Sequence, residues 1–151
     1  MSTNTRKAAY LEAADACRHA AQQGWQPEDG ALIYGSHHPG DWACCALGAV
    51  ALKRRTSPDM CETAFAEAIN TVADMRMEDV LDGGDEADAI SVAYVFDHLL
   101  ATWDRCVKGI PLDAQDGYQL MEVNKTRASM ARLTPEQFWL LAAKRFEQLA
   151  N

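Results

Sequence analysis

The segment Trp42–Leu52, WACCALGAVAL, offers no polar side chain for eleven residues. Read as a helix of about 42–53 with Asp41 as its cap, this run has no face to turn toward water. It must therefore lie in the middle of a domain, with other elements packed around it. It is also too short to cross a bilayer, which takes about 20 apolar residues. Gly48 within it weakens the helix by about 1 kcal/mol relative to alanine, so a close helix–helix contact at that point is the expected return. Lys53, Arg54 and Arg55 follow at the end where the helix dipole favours positive charge.

The remaining chain supplies the helices such a core needs. A first helix is predicted over Thr5–Gln23, where Tyr10, Ala13, Ala14, Cys17, Ala20 and Ala21 recur at helical spacing and Gly24 stops it. The connector 25–41 is broken by Pro27, Gly30, Gly35, Pro39 and Gly40. Ala31–Tyr34 has strand character but no evident partner strand. Ser57-Pro58 reads as the start of a third helix, whose inner face carries Cys61, Ala64, Phe65, Ala68, Val72 and Met75. A fourth helix, from about Asp85 to Lys108, sets Ala89, Val92, Ala93, Phe96, Leu99, Leu100 and Trp103 in one stripe. Asp97, His98, Asp104, Arg105 and Lys108 fall on its opposite, polar face. Residues 110–133, with Pro111 and Gly117 early, leave Tyr118–Leu133 open between helix and solvated connector. Thr134-Pro135 with Gln137 makes a capping box for a last helix. The prediction is one all-α domain over 1–151, a compact bundle of five to six helices around the buried central one.

Composition narrows the function. With 22 acidic against 14 basic residues the net charge is −8, which repels phosphate backbones and makes direct nucleic-acid binding unfavourable. The acidity is concentrated. Residues 76–88 hold Glu78, Asp79, Asp82, Asp85, Glu86 and Asp88 against Arg76, whereas the chain from Gly117 onward is mildly basic through Lys125, Arg127 and Arg132. These six acids are the candidate partner-binding residues, a docking surface for a protein with a basic surface. They do not follow the calcium-loop pattern. Five cysteines, an odd number without framework spacing, together with an N-terminus lacking an apolar core, predict a reducing, cytoplasmic setting.

No spacing points to catalysis or to a cofactor. His37-His38 with Cys44-Cys45 has zinc-type ligands, but adjacent cysteines on a helix point about 100° apart and cannot both face one ion. Asp97 and His98, being adjacent, cannot form a direct dyad on a helix, and an Asp104–Lys108 surface pair is the plainer expectation there. The alternative reading is a metal- or ligand-binding protein in which the His37-His38 loop folds over Asp97. A third is a homo-oligomer joined through exposed Trp25, Trp42 or Trp139.

Gly24-Trp25, then Cys45-Ala46-Leu47-Gly48-Ala49, then Phe96-Asp97 on a long helix form a sequence of motifs over about residues 8–110. In this the chain resembles a family of small helical phage and actinobacterial proteins with Gly-Trp, Cys-x-x-Gly-Ala and Trp-Asn-Asp motifs. Phe96 stands where that family has its asparagine. The resemblance implies a helical fold and a phage or mobile-element origin, and it carries no activity to transfer. Together with the acidic segment it leads to the expectation of a non-enzymatic interaction module, a phage-encoded inhibitor or adaptor that binds a host protein.

Overall fold

The computed structural model describes residues 2–35, 42–81 and 86–151. Among them are seven α-helices: α1 (Ser2–Gln23), α2 (Ala46–Arg55), α3 (Glu62–Ala73), α4 (Glu86–Lys108), α5 (Ala114–Glu122), α6 (Arg127–Ala131) and α7 (Pro135–Ala150). A single 3-10 turn, Met77–Asp79, precedes α4, and a two-stranded antiparallel hairpin, β1 (Ile33–Gly35) and β2 (Trp42–Cys44), precedes α2. The chain is all-α in character, as its periodicity predicts. No helix among the described residues is long and apolar enough to cross a membrane.

The central helix lies where its apolarity requires. Every residue from Ala46 to Leu52 is buried, with α1, α3 and α4 around it. Its start differs from the sequence reading, because Trp42–Cys44 is strand and the cap is the Cys45 thiol, which accepts from Gly48 N–H. The strand Ile33–Gly35 gains its missing partner in this way, with Ile33 opposite Cys44 and Gly35 opposite Trp42. Gly48 does face a close contact, but the neighbour is the Leu32 backbone of the connector and not a helix. The proposed cap Asp41 lies outside the described residues.

Alanine sets the closeness of the next layer. Ala13, Ala14, Ala16, Cys17 and Ala20 are buried along α1, which packs along α7 over most of its length. Small side chains let two backbones approach, and the larger α7 residues Phe138, Trp139 and Phe146 fill the space behind them, all fully buried. Phe96 of α4 joins them, stacked on Trp139 at 5.3 Å and edge-on to Phe138 at 5.7 Å. Burying such a side chain stabilises the fold by about 1.5–3 kcal/mol.

Two local expectations are corrected. Ser57-Pro58 opens a β-turn, closed by Met60 N–H to Ser57 C=O at 3.2 Å, and α3 begins four residues later at Glu62. Proline at the second position suits a turn as well as a helix start, because both need φ near −65°. The segment 110–133 is not a solvated connector. It holds α5 and α6, each opened by a capping box, at Asp113/Asp116 and Thr126/Ser129. Asp116 is buried and accepts from Thr102 Oγ1 at 2.9 Å and Arg105 Nη1 at 2.8 Å, tying α5 to α4.

Candidate binding cleft

The acidic segment divides in the structure. Asp79 and Glu86 are exposed, and Glu78 is half-buried with its carboxylate 2.6 Å from Arg76 Nη2. Asp82 and Asp85 lie outside the described residues. Asp88 does not belong to a docking surface. It is fully buried on the inner side of the first turn of α4, where Arg6 Nε donates to Oδ1 at 2.7 Å and binds α1 to α4. Removing water from this carboxylate is tolerable because a cation accompanies it.

The polar face of α4 also needs revision. Asp104 and Lys108 form their surface pair at 3.0 Å, and His98 sits edge-on to Tyr94 at 5.2 Å. Asp97, in contrast, is half-buried with Oδ1 fully enclosed and without a hydrogen-bond partner. Burial pushes its carboxyl up to about 6, the neighbouring Asp29 adds to this, and the Gly30 N–H works in the opposite direction. The connector running over α4 is the cause, since both Asp29 and Gly30 belong to it. His37 and His38 lie outside the described residues, and no group of three metal-ligand side chains occurs among the described residues.

A carboxyl held above its ordinary value makes the folded state prefer the proton. The stability it contributes is present below the ordinary aspartate range and is lost as pH rises through about 6. Asp97→Asn is therefore expected to match the wild type near pH 4. Above pH 6 it should melt about 2–4 °C higher, the effect of about 1 kcal/mol left after solvent screening in a domain of this size. Coincident melting curves for the two proteins from pH 4 to 8 would refute this.

A recess walled by aromatic side chains lies elsewhere. At the end of α1, Gly24 adopts φ +72°, and its N–H bonds to Ala21 C=O while Trp25 N–H bonds to Ala20 C=O at 3.1 Å. This is a Schellman ending, which turns the next residue back onto the helix as an apolar lid. Trp25 is held in that position by Trp139, whose Nε1 donates to Trp25 C=O at 2.7 Å. Trp42 enters from the first position of β2, and Phe65 from the first turn of α3. Four rings then follow one another: His19 to Trp25 at 5.2 Å, Trp25 to Trp42 at 5.7 Å and Trp42 to Phe65 at 5.9 Å. Successive planes are inclined by 76°, 59° and 51°, so the rings form angled walls and not a flat stack.

These walls enclose a cleft of about 270 Å³, with Ala66 and Ile69 of α3 also lining it and Gln23, Thr56, Ser57 and Glu62 among its polar neighbours. A second recess, about 340 Å³, shares Gln23, Trp25, Trp42 and Phe65. Burial, and then the charge of Lys53, hold the His19 imidazole below its usual range, so it is neutral at physiological pH. Trp25, Trp42 and Trp139 are all buried in the chain, at 6%, 9% and 0% exposure, which overturns the expectation of exposed tryptophans at an oligomer interface.

Sequence reasoning missed this site. The visible signal was two tryptophans at either end of a proline- and glycine-rich connector, in a chain with four tryptophans. Placing Trp42 inside a helix hid their adjacency. Cys61, expected on the inner face of the third helix, precedes α3 and is exposed, whereas Cys17, Cys44 and Cys45 are buried, and burial raises all three, Cys45 to about 11. These three belong to the interior. They are protonated at neutral pH and poor nucleophiles. Comparison of the chain with protein-family models, with curated proteins and with solved structures returned no match.

Proposed function

We propose that the chain is a non-enzymatic protein-interaction module that engages a basic segment of a partner protein in a cytoplasmic, reducing setting. The aromatic cleft carries this reading. Large rings ordinarily close on one another in a core, as Phe96, Phe138 and Trp139 do, whereas Trp42 and Phe65 border open space. Recesses lined by aromatic side chains with a few polar groups are the usual form of a binding site. The net charge of −8 attracts a basic partner and speeds its encounter. The exposed acids Asp79 and Glu86, with Glu78, lie beyond the far end of α3, a helix of 12 residues and so about 18 Å long. A partner reaching both regions would be gripped by apolar contact at one end and steered by charge at the other. The motif resemblance supports a phage-encoded inhibitor or adaptor as the form such a module takes.

The test is capture from a host lysate with three baits: wild type, Phe65→Ala, and a Glu78→Gln/Asp79→Asn/Glu86→Gln variant. Asp88 stays unchanged because it holds α1 to α4. A partner retained by wild type should be lost with Phe65→Ala and weakened by the neutralised variant in a salt-dependent way. A partner retained equally by all three would refute the reading. A second reading, ligand or metal binding around Asp97 and the His37-His38 loop, is favoured by the enclosed, unpartnered Asp97 Oδ1 beside Asp29. Stoichiometric zinc in the purified protein, lost on His37→Ala, would establish it instead.

A further inference from the structure

We infer that a recess between α1, α4, α5 and α7 binds a small 2-hydroxy acid, its carboxylate on Arg145, its hydroxyl on Gln119 and its apolar body against Tyr10, Tyr94 and Tyr118. The recess shares no lining residue with the aromatic cleft, so the two sites are independent. It holds about 500 Å³, within the range of about 300–1,000 Å³ usual for small-ligand sites. Tyr10 comes from α1, Tyr94 from α4, Tyr118 and Gln119 from α5, and Arg145 from α7. Tyr94 and Tyr118 are more than half exposed, at 59% and 51%, and stand at the mouth. Arg145, at 8%, is the most buried residue of the lining and forms its floor.

The hydrogen bonds of this guanidinium point to an anion. A buried charge is costly unless an opposite charge and hydrogen bonds satisfy it. Among the described residues, the polar contacts of Arg145 are confined to Nη1. That atom donates to Gln148 Oε1 at 3.3 Å and stands 3.6 Å from Glu122 Oε2, beyond hydrogen-bond length. Elsewhere Arg6 and Arg105 meet their carboxylates at 2.7 and 2.8 Å, so the long contact at Arg145 is not the habit of this fold. Its Nε is enclosed without an acceptor, which leaves the Nε–Nη2 edge unpaired among the described residues. Two N–H groups side by side match the two oxygens of a carboxylate, the fork geometry by which arginine recognises such groups. No carboxylate is among the described residues lining the recess, so none of the lining competes for that edge. Gln119 Oε1 is likewise enclosed and has no donor. A hydroxyl next to the carboxylate supplies that donor, and both orphaned atoms are then satisfied by one ligand. The net charge of −8 disfavours a polyanion or an acidic peptide, which limits the ligand to a small molecule with a single carboxylate.

Calorimetric titration of the full chain tests this with four probes: 3-phenyllactate, 3-phenylpropanoate, 3-phenylpropan-1-ol and acetate. Expected is binding of 3-phenylpropanoate at least about tenfold tighter than of its alcohol, and of 3-phenyllactate about threefold tighter again. Acetate, which lacks the apolar body, should bind at least about tenfold more weakly than 3-phenylpropanoate. Arg145→Lys keeps a charge but loses the fork, and should weaken both aromatic acids about tenfold and the alcohol far less. Tyr118→Ala, an exposed change that does not threaten folding, should weaken acids and alcohol alike by about threefold or more. Circular dichroism checks the fold of each variant, and the probe series together with Tyr118→Ala decides the matter even where Arg145→Lys does not fold. Equal binding of 3-phenylpropanoate and its alcohol would overturn the role of Arg145. A 3-phenyllactate that binds no tighter than 3-phenylpropanoate would overturn the hydroxy-acid assignment. Acetate as tight as 3-phenylpropanoate, or no heat from either aromatic acid at millimolar concentration, would overturn the site itself.

Discussion

Gly48→Ala is expected to cost the protein about 4 kcal/mol or more, a large share of the roughly 5–15 kcal/mol that ordinarily keeps a domain folded. The direction is opposite to helix propensity, by which alanine gains about 1 kcal/mol over glycine in a helix interior. A Cβ at position 48 would stand 1.9 Å from Leu32 O, 2.8 Å from Leu32 C and 3.0 Å from Cys44 Cβ. The nearest atoms are backbone and cannot rotate away. Nor can the connector retreat easily, because Ile33 pairs with Cys44, Glu28 N–H bonds to Cys44 C=O at 2.9 Å and Cys44 N–H to Gln26 C=O at 3.0 Å. Overpacking alone costs about 1–3 kcal/mol, and prying a hydrogen-bonded segment off the central helix adds broken ladder bonds. Urea unfolding followed by circular dichroism measures the loss. Gly117→Ala is the control. It lies in α5 with nothing within 4 Å of the added methyl, so it should gain about 0.5–1 kcal/mol. A Gly48→Ala protein as stable as wild type would mean that the connector does not lie against α2.

Trp139→Ala is expected to be nearly as damaging, at about 4–6 kcal/mol, and to reach the cleft as well. The indole is fully buried and stacks on Phe96, so its removal leaves a large void, costing about 3–5 kcal/mol. Its Nε1 donates to Trp25 C=O, and that carbonyl would lose its partner for about 1 kcal/mol more. Calorimetry should show a melting temperature lower by about 10–20 °C. Trp139→Phe separates the two contributions. It keeps most of the ring and loses the hydrogen bond that fixes Trp25, so it should destabilise by about 2 kcal/mol and weaken binding in the cleft out of proportion. Unchanged cleft binding in a folded Trp139→Phe protein would show that Trp25 does not depend on this hydrogen bond.

How far the sequence could be read depended on the range of the signal. The α4 stripe, the Thr134 capping box and the stop at Gly24 were all legible, because each depends on residues within a few positions of one another. The all-round apolar run also placed its own helix at the centre without reference to any partner. Trp42–Cys44 reads wrongly as helix because three apolar residues fit a strand or a helix turn equally well, and the deciding partner, Ile33–Gly35, lies within the connector, where no local pattern pairs it with Trp42–Cys44. In the sequence Asp88 is indistinguishable from its acidic neighbours, and Arg6, the cation that lets it be buried, lies 82 residues away. Asp97 falls on the polar face of its helix, and only the connector that brings Asp29 and Gly30 to it half-buries it.

The sequence by itself therefore determined that this is a helical domain with a buried helix inside its apolar run, though that helix is Ala46–Arg55 and not about 42–53, since hydrophobic periodicity states which sides of an element must leave water. Only the tertiary structure decided which elements meet. Trp25, Trp42 and Phe65 border one cleft because a Schellman turn, a hairpin and the start of α3 converge there. Gly48 is required as glycine because Leu32 happens to be the neighbour. Such contacts are settled by how apolar area from distant parts of the chain can be buried together, and no local pattern records that choice.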